Sequence, residues 1–192
     1  SETPEDLASV LRAGKYDAVV GYVGALSYWF DYETVRAAAI ARPNYLFVLI
    51  GPILTEQAGV SVRSMPTNVV HLGTKSYSDL PAYLRAFHVA TVPFLLMDVT
   101  LSTSPVKMFE YAAAGVPIVS SPLPECVACG PIVRTPSSVG EWLSALDAAI
   151  AERGDEAKRD MLRSFARANT WDARADAILS RMGLGPEPAA RG

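Results

Sequence analysis

Apolar and polar positions in this chain alternate in blocks rather than residue by residue. Residues 18–24 (AVVGYVG), 45–50 (YLFVLI), 68–72 (NVVHL), 88–93 (HVATVP), 116–120 (VPIVS) and 131–134 (PIVR) are short apolar runs set off by Gly, Pro or polar residues. That is how strands read. A continuous run such as YLFVLI is buried on both faces, which points to a parallel sheet between helices. Between the runs the period turns helical. Asp31 stands where it can cap a helix over 32–41, with Glu33 in the first turn and Val35, Ala38 and Ala39 on one stripe. Ser78-Asp79 cap a helix over 79–87, and Ser104-Pro105 opens one that Gly115 and Pro117 end. Further helices are expected at 138–152, 155–169 and 172–182, with Trp142 and Trp171 as packing residues. The alternation predicts an α/β fold: a doubly wound, mostly parallel, six-stranded Rossmann-like sheet with extra C-terminal helices. Residues 1–17 read as a linker, 18–182 as the domain and 183–192 as a flexible tail.

Composition narrows the functions open to such a sheet. The 192 residues are half hydrophobic and carry a net charge of −3, which suits one globular domain and argues against sequence-independent nucleic-acid binding. No apolar run approaches the ~20 residues of a membrane span. The acidic opening Ser1-Glu2-Thr3-Pro4-Glu5-Asp6 does not read as a signal peptide, and two cysteines make no disulfide framework. A cytoplasmic protein is the expectation.

Ligands of doubly wound sheets bind outside the carboxyl ends of the strands, so the loops 24–31, 73–78 and 94–105 are the places to look. The segment Ser102-Thr103-Ser104-Pro105-Val106-Lys107-Met108-Phe109-Glu110 is the most informative. Ser104 reads as an N-cap and Pro105 as the first helical residue, so the amides at 103–106 offer an anion site. Lys107 in the first turn is unfavourable for the bare helix and favourable if an anion lies against it. Glu110, three residues on, shares its face and can accept hydrogen bonds from both hydroxyls of a ribose. Val106, Phe109 and Ala113 form the stripe expected to face the sheet. The plainer alternative is a solvated Lys107–Glu110 ion pair.

Other features carry less. Gly21-Tyr22-Val23-Gly24 lacks the spacing of a dinucleotide loop, and no acid ends the second strand, so NAD is not expected. Gly24 reads as a tight turn. Cys126-Val-Ala-Cys129 lacks the ligands of a zinc site and reads as an incidental pair. His71 and His88 read as core or edge residues, and Asp98 as an exposed loop acid. Tyr28, Trp29 and Phe30 fit either a ligand pocket or a covered interface. No acidic cluster suggests a metal, and none ends the first strand as a receiver domain requires.

The residues PVKMFEYAAAGVPIVSS (105–121) resemble the donor-site signature of GT-B glycosyltransferases, especially those similar to family four. The likeness extends in order through 19–35, 45–52, 68–73, 79–94 and 167–179. It implies the C-terminal, donor-binding half of such an enzyme, with Glu110 on the donor ribose and Lys107, Thr103, Ser104 and Gly24 about the diphosphate. Thr74, Lys75 and Tyr77, with Ser102 and Asp98, would border base or sugar. A UDP-sugar is favoured over a GDP-sugar as donor, with no metal or other cofactor. The family's two glutamates are separated by seven residues, and the first falls here on Ser102; the basic residues that relatives carry after the first strand are absent from Gly24-Ala25-Leu26-Ser27-Tyr28. The resemblance further implies hexosyl transfer in cell-surface polysaccharide or glycoconjugate synthesis, and a missing N-terminal domain as partner. This half alone would bind donor without turnover, and the full enzyme could associate peripherally with the inner face of the membrane. The rival reading is a scaffold domain of the same fold that has lost donor binding; an epimerase or phosphorylase on this fold fits less well.

Overall fold

The fold is described from a computed structural model, which describes residues 2–170 together with 172, 173, 175, 179, 180 and 182. Trp171, most of the helix expected over 172–182, and the tail lie outside the described residues. The strands are β1 (Ala18–Val23), β2 (Tyr45–Ile50), β3 (Val69–His71), β4 (Val89–Val92), β5 (Ile118–Ser120) and β6 (Val133–Arg134). They form one sheet in the order β3-β2-β1-β4-β5-β6, and every neighbouring pair is parallel. The helices are α1 (Glu5–Ala13), α2 (Tyr32–Ala41), α3 (Glu56–Arg63), α4 (Leu80–Ala86), α5 (Asp98–Leu101), α6 (Lys107–Ala113), α7 (Pro124–Ala128), α8 (Val139–Ala151) and α9 (Glu156–Ala168). The expected doubly wound sheet is therefore present. Among the described residues no helix is long and apolar enough to cross a membrane.

The core sits where the strand pattern put it, since β1, β4 and β5 are buried along their whole length. Asp31 caps α2 as expected: its side chain accepts from the Thr34 amide at 2.9 Å, and Val35, Ala38 and Ala39 are the buried stripe. Trp142 is buried on α8 beside Leu146 and Ala149.

Three expectations need correction. The presumed linker 1–17 contains α1, anchored by the fully buried Leu7 with Glu5 and Asp6 in the first turn. Ser104 is not the N-cap of α6. Val106 occupies that position without a side-chain cap, because Met108 and Phe109 donate three residues back to Pro105 and Val106 and so open the helix with a tight turn. The sheet-facing stripe of α6 is Met108, Tyr111 and Ala112, whereas Phe109 stacks on Phe165 of α9 with ring centroids 5.5 Å apart. Val106 and Ala113 are exposed. Helices α3, α5 and α7 had no counterpart in the sequence reading.

His88 behaves as a core-edge residue and lends the fold a pH dependence. Its Nδ1 accepts from the Val19 amide at 3.0 Å, while Arg153 Nη1 stands 2.9 Å from Nε2. Burial, helped by the Arg153 charge, pushes its pKa down to about 4. The unfolded chain takes up a proton below about pH 6.5 that the folded one refuses until about pH 4, so stability is full above that window and falls as pH drops through it. Solvent access to the ring trims the linkage to roughly 1–2 kcal/mol. Melting temperatures across this window should fall more steeply for the wild type than for His88→Asn, which keeps an acceptor for Val19 and cannot titrate. Equal slopes would refute the assignment.

Candidate functional site

All six strands run the same way, so their carboxyl ends share one edge, and the strand order reverses between β1 and β4. These two strands pair only through Val20–Val89 and Gly21–Ala90. Beyond Gly21 they part, which opens the kind of crevice in which such sheets hold ligands. The four loops after β1, β2, β3 and β4 are laced together around it. The Gly24 amide donates to Ile50, the Gly51 amide to Gly73, Leu26 to Pro52, and Leu95 to Trp29, all at 2.8–3.0 Å. Gly51, at φ +140°, lies so close that a Cβ there would stand 2.1 Å from the Gly24 carbonyl oxygen.

Lys107 reaches across this crevice. A Cβ on Gly24 would lie 2.1 Å from Lys107 Cε and 2.5 Å from the Tyr22 hydroxyl. Gly24 therefore contributes room rather than its amide, which β1 spends on Ile50 as it continues to pair with β2. Glu110 turns toward β3's loop, where the Tyr77 hydroxyl donates to Oε1 at 3.3 Å. The carboxylate's charge, more than burial, raises the Tyr77 phenol above its ordinary pKa. Lys107 and Glu110 thus do not pair with each other, and among the described residues no carboxylate lies within ion-pair reach of the Lys107 ammonium. A lysine held over a glycine at the strand end, without a counter-charge, is disposed to meet an anion.

The remaining candidates divide. The amide of Thr103 is committed to the Thr100 carbonyl and that of Val106 to Ser104, so within 103–106 the Ser104 amide is the one left open among the described residues. Ser102 ends α5 and Asp98 begins it, both exposed at the rim. Thr74 is exposed. Lys75 turns away: its ammonium pairs with Asp6 of α1 at 2.6 Å and lies 5.6 Å from the centre of the Tyr83 ring, and the bond to Asp6 raises its pKa. His71 Nε2 bonds the Gly51 carbonyl at 2.8 Å and serves the loop. Trp29 is half-buried and Phe30 buried against Tyr22, while Tyr28 is exposed.

Two features escaped the sequence reading. Tyr111, fully buried, accepts from the Val23 amide at 2.9 Å and donates to the Val23 carbonyl at 3.4 Å, replacing the strand neighbour that β1 loses where it parts from β4. The sequence carried no signal for it, since α6 has two apolar stripes and the one read as facing the sheet was that of Val106, Phe109 and Ala113. The second is a cavity of about 810 Å³ between α4, α6 and α9, with Tyr77 and Glu110 at one end and Leu84, Phe109 and Ala166 along its walls.

Residues 17–152 match the family described as Glycosyl transferases group 1. Over 182 residues the chain is 25% identical to a Bacillus subtilis protein named for glycosyl transfer in teichuronic acid biosynthesis (TuaH), covering 92% of this chain and 45% of that one. Among solved structures it is similar to Anabaena Alr3699/HepE in complex with UDP and glucose, with TM-score 0.64, 16% identity and coverage of 94% and 52%. It is also similar to an E. coli trehalose-6-phosphate structure bound with UDP-2-fluoro glucose, with TM-score 0.68, 17% identity and coverage of 95% and 47%. The chain spans about half the length of these relatives.

Proposed function

Because the chain belongs to the Glycosyl transferases group 1 family, we propose that it is the donor-binding half of a GT-B glycosyltransferase that takes a UDP-sugar. The observation that carries this reading is the disposition of α6 at the strand-order reversal. Lys107 lies over Gly24 without a counter-charge among the described residues, and Glu110 faces Tyr77 across the crevice mouth. Glu110 then accepts from the ribose hydroxyls, with Tyr77 holding the carboxylate in place. Lys107, with the open Ser104 amide beside it, meets the diphosphate and stabilises the charge that grows on it as the sugar leaves. Thr74, Ser102 and Asp98 border the base and sugar. Two similar structures hold UDP or a UDP-sugar, which supports that donor class. On this reading the transferred group is hexosyl and the product a cell-surface polysaccharide or glycoconjugate; the Bacillus relative's name, glycosyl transfer in teichuronic acid biosynthesis, supports the biosynthetic role.

Exposed Tyr28, Ile53, Leu54, Leu95, Leu96 and Leu101 rim the same end of the sheet. They suit the face on which the other half of a chain twice this length would close. Alone, the domain binds donor and does not turn it over.

Calorimetry with UDP, GDP and ADP tests the reading. UDP binding is expected, weakened at least ~10-fold by Glu110→Ala, since an ionic hydrogen bond contributes ~1.5–3 kcal/mol. Binding of none of the three nucleotides, or a Glu110→Ala variant that binds as the wild type does, would favour the scaffold reading.

A further inference from the structure

Met108 follows Lys107 in the chain but turns the other way, fully buried beneath α6. Its Sδ stands 3.9 Å from Cys126 Sγ and 3.9 Å from Cys129 Sγ. The cysteines are three residues apart on α7 and its C-cap, a spacing that sets both on one face. We infer that Met108, Cys126 and Cys129 form a binding site for a soft monovalent metal ion, Cu(I), behind the donor helix.

The geometry suits three-coordination. With metal–sulfur bonds of ~2.3 Å, three ligands at 120° around one ion stand ~4 Å from one another. Both Met108–cysteine separations already have that length, so two of the three sides of the triangle are set before binding. The ligand set chooses the metal. Thiolate with thioether is a soft donor set that favours Cu(I). Zinc takes four ligands from Cys, His and carboxylates, and among the described residues no three His, Cys, Asp or Glu side chains are grouped to hold a metal.

The surroundings complete the site. Burial pushes the Cys126 thiol up to about 11, which disfavours a bare thiolate, but the Ser120 hydroxyl donates to its sulfur at 3.2 Å and supports the thiolate once a cation compensates the burial. Cys129 is half-buried and gives the ion its entry from solvent. Its thiol donates to the Glu125 carbonyl at 3.1 Å. Binding of one Cu(I) breaks the two S–H bonds, forms two copper–thiolate bonds and one copper–thioether bond, and releases two protons to water. No electron is transferred.

The test is anaerobic titration of the full chain with Cu(I) against the chelator bathocuproine disulfonate. One equivalent should be retained by the wild type and lost by Cys129→Ser, a near-isosteric change at a half-buried position. Met108→Leu conserves volume and should keep the melting temperature. Its affinity should fall by at least the ~10-fold that losing even an outer contact costs a metal site. X-ray absorption on the loaded wild type should show three sulfurs at ~2.3 Å. Surrender of all copper to the chelator, undiminished affinity in Met108→Leu, two sulfurs instead of three, or a Cys126–Cys129 disulfide in place of bound metal would each overturn the inference.

Discussion

Tyr111→Ala is expected to cost the domain roughly 3–5 kcal/mol, the range for truncating a buried aromatic. Tyr111→Phe is expected to cost about 1–3 kcal/mol by stranding a buried amide. The ring is fully buried, and its hydroxyl holds both the N–H and the C=O of Val23. Those groups face the gap where β1 and β4 have ceased to pair, so no strand can satisfy them. The phenylalanine variant is the more informative. It keeps the packing volume and removes only the tie between α6 and the carboxyl end of β1. Urea unfolding should give a lower midpoint with an unchanged slope. UDP affinity should fall as well, because Lys107 and Gly24 are then no longer fixed relative to one another. A Tyr111→Phe protein as stable as the wild type would show that Val23 finds another partner.

The sheet was legible because each of its strands is a local apolar run, and parallel strands buried on both faces leave that run uninterrupted. Lys107 and Glu110 stood out as candidates for a related reason: a cation in a first turn is locally wrong and invites a ligand. The orientation of α6 was not. That helix is covered by the sheet on one side and by Phe165 of α9 on the other, so it has two apolar stripes, and the sequence does not say which meets the strands. Met108 is thereby placed on the cysteines, a contact no spacing predicts. Lys75 misled because its partner, Asp6, lies nearly seventy residues away on a helix taken for a linker. α3 was missed because its sequence, EQAGVSVR, shows little apolar periodicity; Thr55, which accepts from the Ala58 amide at 3.2 Å, supplies the cap that marks it.

Gly24→Val should abolish donor binding more completely than any change that leaves the crevice open. Lys107→Ala removes one charge-assisted contact, expected to weaken UDP binding by ~10- to 100-fold. A valine at 24 does more, because its first carbon would already occupy the space of Lys107 Cε and press on the Tyr22 hydroxyl, which bonds the Ala25 carbonyl at 2.9 Å. Lys107 is expelled from over the strand end, and the space proposed for the diphosphate is filled. The two changes act through one feature, so their effects should not add: Lys107→Ala in the Gly24→Val background should cost almost nothing further. The lysine's flexible end can swing away, but Gly24 is buried and so is the Tyr22 ring beside it, so the melting temperature should drop as well, and the comparison is made on protein that circular dichroism shows to be folded. Calorimetry on the four proteins of this cycle decides the matter. If Gly24→Val binds UDP normally, or if the losses add in full, Lys107 does not work from over Gly24 and the diphosphate lies elsewhere.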